Sequence, residues 1–158
     1  MSDARPSDAA ADPVEGRTVG RQVVLDTNIV LDAFVFSDAA ALPLRAGLES
    51  GSLQWIATAD MRAELARVLG YPQIVPRLAF YQLSADDVLA AFDRHAQAVE
   101  AAPKAPVTCS DPDDQKFIDL AVAHYCPLLS KDRAVLDMRK RLLALGVRAG
   151  GDIGLVSM

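Results

Sequence analysis

The run Val23-Val24-Leu25, with Asp26 directly behind it, constrains this chain more than any other feature. Consecutive apolar, largely β-branched residues without alternation fit a strand buried on both faces, as in a sheet covered by helices on either side. Residues 27–36 then turn helical or turn-like, with Thr27 or Asn28 able to cap. The same order recurs along the chain. Gln54 to Thr58 reads as a second strand, and Thr58 can cap a helix over 59–69 that closes at Gly70 and Pro72. Pro127 to Ser130 reads as a strand ending just before Asp132, followed by a helix over 133–145 that stops at Gly146.

Helical segments fill the intervals. One is expected over 39–50, with Pro43 in its first turns and Gly51 as its stop, and a short one near 75–81. Ser84 caps the next, with Asp87 completing a variant capping box and Val88, Leu89, Phe92, Ala96 and Val99 forming its apolar face. Residues 101–106 connect to a brief strand at Val107 to Cys109. Asp111-Pro112 opens a helix that runs to about Tyr125. The last strand falls at Val147 to Ala149 or at Ile153 to Val156. Strands alternating with helices predict an α/β domain around a mostly parallel sheet. Ligands of such sheets bind beyond the carboxyl ends of the strands, and that edge would carry both Asp26 and Asp132.

Composition narrows the function classes. Residues 1–20, rich in Ala, Asp, Pro and Ser, read as a disordered arm, leaving 21–158 as one domain. No apolar run reaches the ~18 residues of a membrane span, and the N-terminus lacks the layout of a secretory signal. Cys109 and Cys126 form no CxxC and have no paired histidines, which speaks against structural zinc and fits reduced thiols in the cytoplasm. The net charge of -5 argues against broad adhesion to nucleic acid. It does not exclude a phosphate substrate, because cations bound among carboxylates reverse the local sign.

Carboxylates are the candidates for chemistry. Acids gathered at a sheet edge repel one another, and a hard divalent cation with oxygen ligands offsets that cost. Taken singly, each acid also has a structural use. Asp26 and Asp132 can cap helices, and Glu64, mid-helix in Met61-Arg62-Ala63-Glu64-Leu65, can pair with Arg67. Asp111, Asp113 and Asp114 can compensate a helix dipole.

Four segments in order carry a resemblance: Val24-Leu25-Asp26-Thr27-Asn28, Thr58 to Pro72 with Glu64, Ser110-Asp111-Pro112-Asp113-Asp114-Gln115-Lys116-Phe117, and Leu128-Leu129-Ser130-Lys131-Asp132. Together the chain resembles the PIN-domain family over about 21–137, and within it the VapC-like toxins of toxin–antitoxin systems. The resemblance implies a three-layer α/β/α fold and a Mg2+- or Mn2+-dependent endoribonuclease. It implies metal ligation by Asp26 and Asp132, and by Glu64 or through a water that Glu64 positions. In the third run it favours Asp114 over Asp111, with Asp113 pointing outward. Asn28 and Ser130 match polar positions that support the acids, and Asp32 is a weaker candidate for such support. The resemblance further implies an RNA substrate, an antitoxin partner and a homodimer. One departure is local: no glycine follows the helix at His124-Tyr125-Cys126-Pro127.

Other residues carry less. Arg62, Arg67, Lys131 and Arg133 lie near the acids in sequence, and Arg139-Lys140-Arg141 is a compact basic run that also fits a solvated helix face. His95 and His124 have no partner at ligand spacing, and Trp55 reads as core. A hydrolase using Asp26 as phosphoryl acceptor would want a second acid two residues on, where Asn28 stands. A non-catalytic binding module is a further alternative, but it has no need of so complete a set of acids.

Overall fold

A computed structural model describes residues 21–155. The expected N-terminal arm at 1–20 lies outside them. Five parallel strands form one sheet: β1 (Arg21–Leu25), β2 (Leu53–Ala57), β3 (Ala96–Ala98), β4 (Leu128–Leu129) and β5 (Ala149–Gly150), in the order β3-β2-β1-β4-β5. Eight helices among the described residues complete the three-layer α/β/α arrangement. They are α1 (Thr27–Phe34), α2 (Leu42–Ser50), α3 (Ala59–Val68), α4 (Val75–Phe80), α5 (Ala85–His95), α6 (Gln115–His124), α7 (Arg133–Leu136) and α8 (Arg139–Ala144). None is long and apolar enough to cross a membrane.

The order explains where a site can form. From β1 the chain crosses to β2 and β3 on one side, then returns past β1 to place β4 and β5 on the other. The carboxyl ends of β1 and β4 therefore flank the point where the strand order reverses, which leaves a crevice there. The register pairs Val24 with Leu128 and Leu25 with Leu129, so Asp26 and Ser130 leave adjacent strands side by side. Val23, Val24, Leu25, Ile56, Leu128 and Leu129 are almost fully buried, as a sheet covered on both faces requires. Trp55 is core: its ring stacks on Phe34 and meets Phe92 edge-on with centroids 4.8 Å apart.

Several local expectations change. The α1 cap is Asp26, whose Oδ1 accepts from the Ile29 N–H at 2.9 Å, and neither Thr27 nor Asn28 serves. The α5 helix keeps its Ser84–Asp87 capping box but ends at His95, and Ala96–Ala98 is the edge strand β3. Val107 to Cys109 is not a strand. The helix expected from Asp111 begins as a tight 3-10 turn over Pro112–Asp114 before α6. The helix expected over 133–145 is two short helices, yet Val135, Met138 and Leu142 still face the core, so the apolar period runs unbroken through the bend. The last strand is Ala149–Gly150, and Ile153–Leu155 is a 3-10 turn. After α6, where the resemblance leads one to expect glycine, Tyr125 itself takes the left-handed conformation at φ 51°.

Candidate metal centre

Asp26 follows β1 and is buried. Its Oδ2 accepts from the Ser130 hydroxyl, and that same oxygen of Ser130 accepts from the Asp132 N–H at 3.0 Å. Ser130, fully buried after β4, thus joins the ends of the two central strands. Asp132 caps α7, its Oδ1 accepting from the Ala134 N–H at 3.0 Å. Two acids are therefore fixed by backbone and hydroxyl donors rather than by cations.

The third acidic run enters from the other side. Asp111 caps the 3-10 turn through the Asp113 N–H at 3.0 Å, which turns Asp114 inward. Asp114 is buried, and its Oδ2 has no hydrogen-bond partner. Carboxylate oxygens of Asp111, Asp114 and Asp132 lie within 4.8 Å of one another. Asp111 and Asp114 thus both bring an oxygen beside Asp132, while Asp26 and Glu64 stand outside this group of three. Asp113 is exposed but still borders the cleft.

Crowding shows in the proton affinities. Burial pushes Asp26 up to about 6 against the opposing hydrogen bonds from Ser130 and Ile29, with the charges of Asp132 and Asp32 adding to the rise. Asp114 is pushed up to about 7, by burial first and then by the charges of Asp132, Asp111 and Asp26. A buried carboxylate oxygen without a donor, beside two more carboxylates, is a donor set that lacks a positive charge. Hard oxygen ligands in this number fit Mg2+ or Mn2+ and suit neither soft metals nor a structural zinc.

Glu64 stands on the facing wall, on α3. Its Oε2 accepts from the Thr27 hydroxyl and its Oε1 pairs with Lys116. Lys116 also donates to the Asp113 carbonyl at 2.6 Å. Sequence reasoning missed both partners. Thr27 was visible only as a possible cap, and Lys116 sits two residues beyond Asp114 on a helix start whose direction decides everything. The cleft holding these groups has a volume of about 380 Å3 and is lined by Asp26, Asn28, Glu64, Arg67, Tyr71, Asp111, Asp114 and Asp132, among others.

A sequence model of the PIN domain matches residues 22–134. The chain belongs to the PIN-domain family. No curated protein matches it. Among solved structures, a chain in the crystal structure of VapBC2 from Rickettsia felis bound to a DNA fragment from their promoter aligns with a TM-score of 0.54. The two are 13% identical, and the alignment covers 81% of this chain and 98% of that one. At that identity the likeness concerns the fold alone. PIN nucleases generally use divalent metals, and the three converging acids give this PIN domain a place for one.

Other candidates fall elsewhere. Asn28 borders the cleft but is exposed, and the cleft acids take their hydrogen bonds from other donors. Asp32 lies outside the cleft, paired with Lys131 beside a small neighbouring hollow. Arg62 pairs with Asp93 at 2.7 Å, and Arg133 with Asp137 at 3.1 Å. Arg139, Lys140 and Arg141 are exposed on α8, away from the acids. His95 stacks on Phe34, and burial lowers its proton affinity. Cys109 and Cys126 are buried free thiols.

Proposed function

We propose that this PIN domain is a Mg2+- or Mn2+-dependent endoribonuclease and the toxin of a toxin–antitoxin pair. The observation that carries the nuclease reading is the convergence of Asp111, Asp114 and Asp132 around a buried, unpartnered Asp114 oxygen, with Asp26 hydrogen-bonded to the same framework through Ser130. Asp26, Asp114 and Asp132 would hold the metal together with Asp111, and Glu64 would hold it or an adjacent water. A bound divalent cation supplies Lewis-acid stabilisation of the phosphodiester and lowers the pKa of water. The chain supplies the rest. Ser130 keeps Asp26 and Asp132 in register, and on the facing wall Thr27 holds Glu64 at the cleft while Lys116 balances its charge. No serine or cysteine nucleophile is required.

Asp26, Asp111 and Asp132 also cap local structure, but Asp114 caps nothing and buries an unpartnered oxygen beside them, which weighs against a catalytically inactive binding module. The toxin role rests on the resemblance and on the Rickettsia felis structure, which is of a VapBC2 complex. An antitoxin could place an arginine or lysine among the carboxylates. A homodimer and a cytoplasmic location belong to the same reading. A housekeeping RNA-processing nuclease is the alternative, and co-expression with the neighbouring open reading frame separates the two: a stable complex supports the toxin, and absence of one removes the label.

The chemical test is cleavage of RNA by purified protein. EDTA should stop the reaction and Mg2+ or Mn2+ should restore it. Asp26→Asn should lose cleavage while keeping its circular dichroism spectrum; retained cleavage in that variant would falsify the site.

A further inference from the structure

Glu64, Arg67, Val68 and Tyr71 all line the acidic cleft. They are spaced three, four and seven apart, which is one stripe of a helix. Tyr71 lies just past the end of α3, where its N–H meets the Val68 carbonyl at 3.0 Å, so the stripe continues through the turn. Glu64 marks the catalytic end and Tyr71 the outer end.

Arg67 differs from the cations around it. Arg62, Lys116, Lys131 and Arg133 are each paired with a carboxylate. Arg67 has no side-chain hydrogen bond or ion pair among the described residues, although six carboxylates border the same cleft. A guanidinium kept beside, but not on, a group of carboxylates is available to an incoming anion, and its fork matches a phosphate. Four residues on, at the same cleft, is Tyr71, 44% exposed and with no ring contact to another aromatic side chain among the described residues. An exposed ring beside a phosphate-binding cation is the composition of a subsite for an unpaired nucleotide.

We infer that Arg67 and Tyr71 form a nucleotide subsite beside the metal centre: Arg67 takes the phosphate next to the cleaved one, and Tyr71 stacks the base between them. The inference rests on the ribonuclease reading and deepens it by naming the residues that hold a nucleotide beside the cleaved bond. Bases inside a duplex are already stacked and closed to a tyrosine ring, so this subsite takes an unpaired nucleotide. Both residues position substrate; neither touches the reacting atoms.

The test is initial-rate kinetics with Mn2+ on a short unpaired RNA and on the same RNA annealed to its complement. Tyr71→Ala should raise KM about tenfold and leave kcat within about twofold, as loss of one stack requires. Tyr71→Phe should restore the wild-type KM, because the ring and not the hydroxyl does the stacking. Arg67→Gln should raise KM and reduce the salt dependence of log KM by about 0.7, the share of one single-strand phosphate contact. The duplex should be cut at least about tenfold less well. If wild-type protein cleaves RNA but Tyr71→Ala and Arg67→Gln keep its KM, the subsite falls and the nuclease reading stands. Tyr71→Phe as weak as Tyr71→Ala overturns the stacking role, and equal cleavage of duplex overturns the single-strand assignment. Wild-type protein that neither binds nor cleaves RNA removes both readings.

Discussion

The two walls of the cleft hold their carboxylates in opposite ways. On the wall built from the ends of β1 and β4 and the turn before α6, Asp26, Asp111 and Asp132 are oriented by hydroxyl and backbone donors, and Asp114 stands among them with a buried oxygen that has no donor. On the α3 wall, Glu64 has a full cationic partner in Lys116. The first wall stores repulsion, which shows as the raised proton affinities of Asp26 and Asp114. On the second, Glu64 is already balanced by Lys116 before anything binds. A fold built only for stability would distribute its cations the other way, since unpaired buried charge is the more costly arrangement. The contrast supports the proposal that the first wall is the seat of a cation and the second a preset guide.

The sharpest way to break this contrast is to remove a charge from the first wall. Asp114→Asn should lower RNA cleavage at least about 100-fold and yet stabilise the metal-free protein by about 1–3 kcal/mol at pH 8, because it removes a repelled, buried carboxylate. Thermal unfolding with and without EDTA reads the second effect. A variant that is both less active and less stable without metal would mean that Asp114 serves the fold instead.

Proton binding makes the same point without mutation. Asp26 and Asp114 titrate near 6 and 7, above the ordinary carboxylate value of 3.8, so the folded chain holds these protons more tightly than the unfolded chain does. Their contribution to stability is fully present below that ordinary value and is lost as pH rises through 6 and 7. Metal-free protein should therefore lose roughly 1–3 kcal/mol between pH 5 and 8, as denaturant melts can measure. Saturating Mg2+ should reverse the trend, since cation and proton compete for the same oxygens. A metal-free stability that rises across this interval contradicts the account.

On the second wall the effects are smaller. Lys116→Met should cost about 1 kcal/mol in metal-free protein, because the pair is only partly buried, and should strengthen divalent-cation binding by adding the freed charge of Glu64 to the cleft. Weaker cation binding in this variant would show that Lys116 organises the metal site rather than competing with it.

Much of this contrast was legible in the sequence, and for a physical reason. A buried strand followed by an acid advertises its position, because the strand fixes both the edge and the direction of the residue after it. Asp26 and Asp132 were legible in that way. Glu64 and the run at 111–114 came from the order of the motifs, since a mid-helix glutamate and a capping cluster are ordinary by themselves. The convergence of Asp111 and Asp114 depends on the 3-10 turn at Pro112, whose tighter winding no periodicity reveals. The Lys116–Glu64 pair depends on how α6 and α3 face each other across the cleft, which is tertiary information. The edge strand β3 escaped because Ala96-Gln97-Ala98 has no β-branched residue and Ala96 continues the helical period. The bend between α7 and α8 escaped because the buried positions keep that period across it.

The central claim is that the first wall lacks one positive charge that a divalent cation supplies. Calorimetric titration of Mn2+ into EDTA-stripped, dialysed protein at pH 8 tests it most directly, with Asp114→Asn alongside. The account predicts saturable binding by the wild type that is lost or weakened at least about tenfold in the variant, with the fold intact. Indistinguishable titrations of the two proteins, or no binding by the wild type, would contradict it.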